Sequence, residues 1–326
     1  MANKLLYLSY EDVKSTDLSM ADIIKVVEQG FMEMGNGQVE MPPKPGVHPG
    51  VGENNFIHAM PAYIPAMNSA GVKWVSGYPG NPAKGLPYIN GLLIYNDTET
   101  GMPLAVMDCT WITGMRTGAA SAISAKYLAR PDSSIIGILA CGVQGHTNLE
   151  AMNVLFPLKK VYAFDTKPEQ AKALAEYGQN TLGLDVEIVS DPRKAVTGCD
   201  IVVTSGPILK KPHETIKSGW VDKGSFVSCV DFDSFFSRNA LNQADKWTTD
   251  NLAQYNQYKN SAGYFTDCPA VYAELGELVT GRKQGRQTDE ERNFSANLGL
   301  AMEDMAVCPL LFQLAKEKNI GTWLKL

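Results

Sequence analysis

The chain has 326 residues, which at about 150 per domain predicts two domains. Hydrophobic residues make up 44% and charged ones 20%, with 29 Gly and 18 Pro in no repeat, so disorder, collagen and coiled coil are excluded. Lys plus Arg number 29 against 35 Asp plus Glu, a net charge of −6, which lacks the basic footprint that a nucleic-acid partner requires.

The longest apolar stretch, Ile135 to Val143, is about half of the roughly 18 to 20 residues that span a bilayer, so no membrane partner is expected. Leu5 to Leu8 is too short for a signal core and is followed by Glu11 and Asp12, which predicts a mature protein starting near residue 1. Six isolated cysteines at 109, 141, 199, 229, 268 and 308 form no CxxC pair and have no histidine at metal spacing. They read as reduced, mostly buried thiols of a cytoplasmic protein without a metal site.

Residues 19 to 35 predict the first long helix. Ser19 caps it, Ile23, Ile24, Val27, Phe31 and Met34 recur at helical spacing, and Gly35 ends it. From 41 to 113 short apolar runs broken by Pro and Gly follow, at Ile57 to Ala62, Gly71 to Val75, Gly91 to Tyr95 and Leu104 to Met107. They predict a largely antiparallel sheet, with a turn from Asn96 to Gly101 between its last two strands. After Arg130-Pro131 strand and helix alternate. Strands are expected at Ile135 to Ala140, Lys160 to Phe164, Val186 to Val189, Ile201 to Thr204 and Phe226 to Val230, and helices from about Thr147 and from Pro168 to Leu182. That rhythm predicts a parallel sheet covered by helices on both faces. A long helix from Asn297 to about Lys318 is expected to pack back on the first domain.

Ala140-Cys141-Gly142-Val143-Gln144-Gly145 lies at a strand-to-helix junction, where backbone N–H groups can hold a pyrophosphate. It reads as the GxGxxG fingerprint with alanine in the first place, so the tight turn must tolerate a methyl group. Asp165 ends the next predicted strand, about 20 residues on, where a carboxylate accepts hydrogen bonds from an adenosine ribose. The pair predicts NAD as cofactor, because the same carboxylate opposes the 2′-phosphate of NADP.

With these motifs goes a resemblance that covers nearly the whole chain. It is carried by Met60-Pro61-Ala62-Tyr63, Gly71-Val72-Lys73-Trp74-Val75, Gly77-Tyr78-Pro79-Gly80-Asn81, Arg116-Thr117-Gly118-Ala119-Ala120, Gly142-Val143-Gln144, Gly285-Arg286 and Gly299-Leu300-Ala301-Met302-Glu303-Asp304. The chain resembles the ornithine cyclodeaminase and mu-crystallin family. The resemblance implies an α/β protein with two parts. Residues 1–130 would be an α+β substrate-binding and dimerisation domain, completed by the C-terminal helix 305–326, and residues 131–304 a Rossmann-type NAD-binding domain. A homodimer is implied as well.

The resemblance also implies an enzyme that takes or gives a hydride at the α carbon of a small amino acid or imine. Lys73 falls at the family's active-site lysine and Arg116 at the arginine that binds the substrate carboxylate. Lys44 stands where many relatives carry a second arginine for that carboxylate. Cofactor contacts are implied at Thr117, Gly142, Val143, Gln144, Asp165, Thr166 and Ser205. The catalytic acid/base falls in Val230-Asp231-Phe232-Asp233-Ser234, which lacks the family's Pro-Gly-Lys turn. Spacing favours Asp233, with Asp231 as its competitor. His58 falls where ornithine-specific members carry an acidic residue, which argues against a cationic side chain on the substrate, although a satisfied core histidine reads equally well. The leading expectation is an amino-acid dehydrogenase or imine reductase. The alternatives are an ornithine or lysine cyclodeaminase that recycles its NAD, and a mu-crystallin-like binding protein with little turnover.

Overall fold

The computed structural model describes residues 4–50 and 55–326. In chain order the strands are β1 (Lys4–Leu8), β2 (Gly46–Val47), β3 (Phe56–Ile64), β4 (Ser69–Gly77), β5 (Ile89–Asn96), β6 (Pro103–Asp108), β7 (Ile135–Leu139), β8 (Lys160–Phe164), β9 (Asp185–Ile188), β10 (Ile201–Thr204), β11 (Phe226–Cys229), β12 (Lys246–Thr249), β13 (Ala273–Glu274), β14 (Asn293–Ala296) and β15 (Thr322–Lys325). They form two sheets in two compact units, one made of Met1–Arg116 with Leu300–Leu326 and the other of Thr117–Gly299.

The first unit holds a seven-stranded sheet in the order β15-β1-β6-β5-β4-β3-β2. Strands β3 to β6 are the expected antiparallel meander, but β1 joins β6 in parallel and β15 closes the edge antiparallel to β1. At the turn between β5 and β6, Asp97 accepts the Thr100 N–H at 2.7 Å. The first long helix is Met20–Gly35, with Ser19 accepting the Asp22 N–H as cap. Gly35 is its last residue, as expected. Asn36 caps the helix, and the left-handed residue that turns the chain is Gly37, at φ +73°.

The C-terminal helix is Ala301–Glu317 and starts later than Asn297 because the preceding residues are used elsewhere. Asp250 accepts the N–H groups of Leu298 and Gly299 at 2.7 and 2.8 Å. Pro309 lies inside this helix and has no N–H for the carbonyl of Met305, one turn back. The buried hydroxyl of Ser69 on β4 supplies the missing donor at 2.6 Å.

The second unit holds an eight-stranded sheet in the order β13-β12-β14-β11-β10-β7-β8-β9, and every pairing in it is parallel. This is a Rossmann-type arrangement with β7 between β8 and β10. Strands β7, β10 and β11 are buried throughout or nearly so, as a sheet covered on both faces requires. Strands β12, β13 and β14 extend the sheet beyond the sequence expectation. The helix expected from about Thr147 begins at Val143, directly on the glycine turn.

The division between the units falls after Arg116, inside the helix Thr110–Leu128, rather than after Arg130. The later part of that helix is tied to the second sheet, since Asn297 and Ser295 both bond the buried Ser124 hydroxyl. The return crossing falls before Leu300 rather than Met305, because Asp250 holds the chain as far as Gly299. No helix among the described residues is long and apolar enough to cross a membrane.

Candidate active site

In the first unit β4 carries Lys73 on its core face, where it is fully buried. Its ammonium lies 2.7 Å from Asp304 Oδ2 and donates to Thr113 Oγ1 at 3.3 Å. Arg116, one helical turn after Thr113, pairs through Nη1 with Glu303 Oε2 and places Nε 3.3 Å from Asp304 Oδ1. Glu303 and Asp304 open the C-terminal helix, and the other oxygen of Glu303 accepts the Leu300 N–H at 3.2 Å. Two cations and two carboxylates thus share a buried site. Burial lowers the Lys73 pKa and the neighbouring Arg116 lowers it further, while Asp304 opposes both. Burial raises Glu303, against the pull of Arg116.

His58 on β3 belongs to the same unit. Its ring stacks on Phe56 with centroids 4.5 Å apart and meets the edge of His48 at 6.2 Å. Burial, with the charges of Lys44, His48 and Lys73, pushes its pKa down to about 4, so the imidazole is neutral at neutral pH. Lys44, half-buried just before β2, therefore contributes its charge close to His58.

The second unit carries the fingerprint turn. Ala140 takes the place of the first glycine at φ +71°, so the methyl group is accepted in a left-handed conformation. A Cβ on Gly142 would meet nothing within 4 Å, whereas one on Gly145 would stand 2.7 Å from the Ala140 carbonyl oxygen. Gly142 faces open space and Gly145 lets the helix close on the strand. The helix Val143–Leu155 has no side-chain cap, so its leading N–H groups point outward, as anion binding at a helix start requires. Val143 is exposed, and the amide oxygen of Gln144 is buried without a hydrogen-bond partner among the described residues.

Asp165 follows β8 and ties the turn together, accepting the Cys141 N–H at 2.7 Å and the Lys167 N–H at 2.8 Å. A carboxylate has about four lone-pair sites, so acceptor capacity remains for ribose hydroxyls. Thr166 beside it is exposed. Ser205, after β10, donates to the Ala140 carbonyl at 2.7 Å. Thr117 is half-buried on the helix Thr110–Leu128.

Beyond β11 the two aspartates have different surroundings. Asp231 accepts the Thr204 hydroxyl and the Gly206 N–H, both at 2.7 Å, and is fully buried. Burial raises its pKa to about 7 despite those bonds. Phe232 turns the chain at φ +65°. Asp233 is also buried, but its Oδ1 has no hydrogen-bond partner among the described residues. Burial raises its pKa too.

Over residues 4–319 the sequence matches the family described as ornithine cyclodeaminase/mu-crystallin. The chain belongs to this family. An alanine dehydrogenase of Archaeoglobus fulgidus is 36% identical over 328 residues, with 98% of each chain covered. Among solved structures, an archaeal alanine dehydrogenase dimer with bound NAD matches with a TM-score of 0.88 at 35% identity, covering 99% of each chain. The Δ1-pyrroline-2-carboxylate reductase of Thermococcus litoralis, in complex with NADH and L-proline, matches at 0.87 and 33% identity, over 98% of this chain and 99% of that one.

The sequence reading gave no role to Glu303 and Asp304, although both lie in a motif that carried the family resemblance. Their signal is two adjacent acids followed by the apolar run Met305 to Phe312. Acids in a first helical turn are usual, because they complement the helix dipole, and only the fold places β4 and the helix Thr110–Leu128 against these two. Arg286 is held by the backbone around it: its guanidinium donates to the carbonyls of Leu128, Ser225, Thr288 and Glu291.

Proposed function

We propose that the protein is an NAD(H)-dependent oxidoreductase acting on a small α-amino acid and its imino or keto partner. The observation that carries this reading is the buried pair Lys73 and Arg116, held side by side by Glu303 and Asp304. A structural ion pair needs one cation and one acid, whereas two cations of different shape suit a ligand that has both a carboxylate and a polarisable carbon–nitrogen or carbon–oxygen bond.

The turn Ala140 to Gly145, with Asp165 and Ser205, is the proposed cofactor cradle, and Thr117 and Thr166 complete it. When bound there, the nicotinamide supplies or accepts the hydride. Arg116 fixes the substrate carboxylate through its planar fork, aided by Lys44. Lys73, held by Asp304 at 2.7 Å, polarises the imine or carbonyl. Asp233 moves the proton. Its unpartnered buried oxygen supports that role, while Asp231 is committed to Thr204 and Gly206. Neutral His58 offers no anion to a cationic side chain, which favours substrates such as the alanine and proline named for the relatives.

A homodimer is part of the proposal. The outer face of the first sheet exposes Tyr7, Tyr63, Trp74 and Leu92, an apolar surface of the kind a second copy covers. Six free cysteines support a reducing, cytoplasmic setting.

The test is a screen of the purified protein with NADH and NADPH against pyruvate plus ammonia, Δ1-pyrroline-2-carboxylate and ornithine, following nicotinamide absorbance and ammonia. Net oxidation of NADH by a small keto or cyclic imino acid is expected. Ammonia release from ornithine without net absorbance change would assign a cyclodeaminase instead, and cofactor binding without either reaction a binding protein.

A further inference from the structure

We infer that Glu303 is a proton acceptor coupled to ligand binding: as a carboxylate docks on Arg116, Glu303 takes up one proton from solvent and gives up its ion pair with the guanidinium. The inference rests on the proposed reading of Arg116 as the substrate's carboxylate binder.

The argument is one of charge in a buried site. Lys73, Arg116, Glu303 and Asp304 are 0%, 5%, 0% and 0% exposed. With all four ionised, two positive charges balance two negative ones. A docking carboxylate adds a third negative charge to this buried set, from which the half-buried Lys44 stands apart, and an uncompensated buried charge is avoided by protonation when a titratable group is at hand.

The geometry selects which acid takes the proton. Asp304 is held by two cations, Lys73 at 2.7 Å and Arg116 Nε at 3.3 Å. Glu303 is bonded to one, through Arg116 Nη1, and the guanidinium is what an incoming carboxylate competes for. Protonated on Oε2, Glu303 still accepts the Leu300 N–H through Oε1, so the helix start keeps its bond.

The charged and titratable groups around it come from three elements: Arg116 on the helix Thr110–Leu128, Lys73 on β4, and Asp304 on its own helix. The nearby thiols of Cys109 and Cys308 are raised by burial and stay neutral. Burial and Asp304 already raise the Glu303 pKa, and only the cations oppose them. Sharing Arg116 with a ligand weakens that opposition.

The experiment is calorimetric titration of the 326-residue protein, saturated with NADH and free of ammonia, with pyruvate in two buffers of different ionisation heat. About one proton should be taken up per pyruvate bound, and the pyruvate Kd should rise about tenfold per pH unit on the alkaline side of neutrality, as one-proton linkage requires. In Glu303→Gln, pyruvate should bind without proton uptake and with a flat pH profile. Proton-neutral binding to the unmodified protein, as when Lys44 balances the charge, overturns the inference alone. Uptake that persists undiminished in Glu303→Gln also overturns it. Should that variant not fold, the pH slope of the unmodified protein decides. If neither pyruvate, alanine nor pyrroline-2-carboxylate binds the unmodified protein, the reading of Arg116 fails and the inference falls with it.

Discussion

Arg116 meets two carboxylates of the chain itself, so its shape matters more than its charge. Arg116→Lys keeps a cation, but one ammonium cannot span Glu303, Asp304 and a docking carboxylate together. Substrate affinity should fall by about 1.5 to 3 kcal/mol, the scale of a charge-assisted hydrogen bond, with cofactor affinity unchanged. Full catalytic efficiency in the variant would remove Arg116 from the site. Asp233→Asn should bind both ligands and turn over roughly 100-fold or more slowly, the contribution of a positioned acid/base. Asp231→Asn should affect rate less and stability more, because an amide presents a donor to either Thr204 or Gly206. Steady-state rates beside thermal melts separate the two, and a larger rate loss at Asp231 would exchange the roles. In the proposed cradle Asp165 is the residue expected to set the choice of cofactor. A 2′-phosphate about 4 Å from its carboxylate is opposed by about 4 kcal/mol per pair of charges at an effective dielectric near 20. Solvent screening reduces that, and at least about a tenfold preference for NADH should survive, about 1.4 kcal/mol. Asp165→Ser should relax it, and equal efficiency with NADPH in the unmodified protein would refute this role.

At the scale of elements, the C-terminal helix depends on a side chain from β4. Pro309 leaves the Met305 carbonyl without a backbone donor and Ser69 fills the gap. Ser69→Ala should cost about 1 to 3 kcal/mol, the penalty for a buried unsatisfied group, read as a lower Tm; an unchanged Tm would mean that another donor reaches the carbonyl. This dependence was not legible in the sequence, since Ser69 and Pro309 are joined only by the fold. Strands β7, β10 and β11 were legible because each is a short apolar run in a sheet covered on both faces. Strands β12 and β14 were not, because Lys246-Trp247-Thr248-Thr249 and Asn293-Phe294-Ser295-Ala296 are largely polar yet buried. The Lys246 ammonium, for instance, is satisfied by Glu291 at 2.8 Å and the Gly285 carbonyl at 2.7 Å. The helix Thr110–Leu128 escaped for the opposite reason. It is rich in small residues and buried nearly all round, so it has no polar face to mark the helical period.

At the scale of the whole molecule, each unit keeps its own part of the proposed machinery: Lys44, His58, Lys73, Arg116, Glu303 and Asp304 in one, the cofactor turn and Asp233 in the other. The fingerprint and the lysine–arginine pair were readable one motif at a time, whereas the acids that hold the pair come from the far end of the chain. The outer face of the first sheet follows from its register. Trp74 stands opposite Leu92 on β5 and Ala59 on β3, while Val72 faces Ile94. These residues alternate with the buried Lys73 and Val75, so the outer face of the sheet carries large apolar side chains, a pattern that predicts a covering partner. A twofold interface uses each residue twice, and burying one Trp or Leu side chain contributes about 1.5 to 3 kcal/mol. Trp74→Glu would remove that gain at two places and bring two charges into an apolar contact. The variant should therefore sediment as a monomer at concentrations where the unmodified protein is a dimer, with an unchanged far-ultraviolet circular dichroism spectrum, because Trp74 contributes little to the core. A variant that stays dimeric would place the interface on another surface.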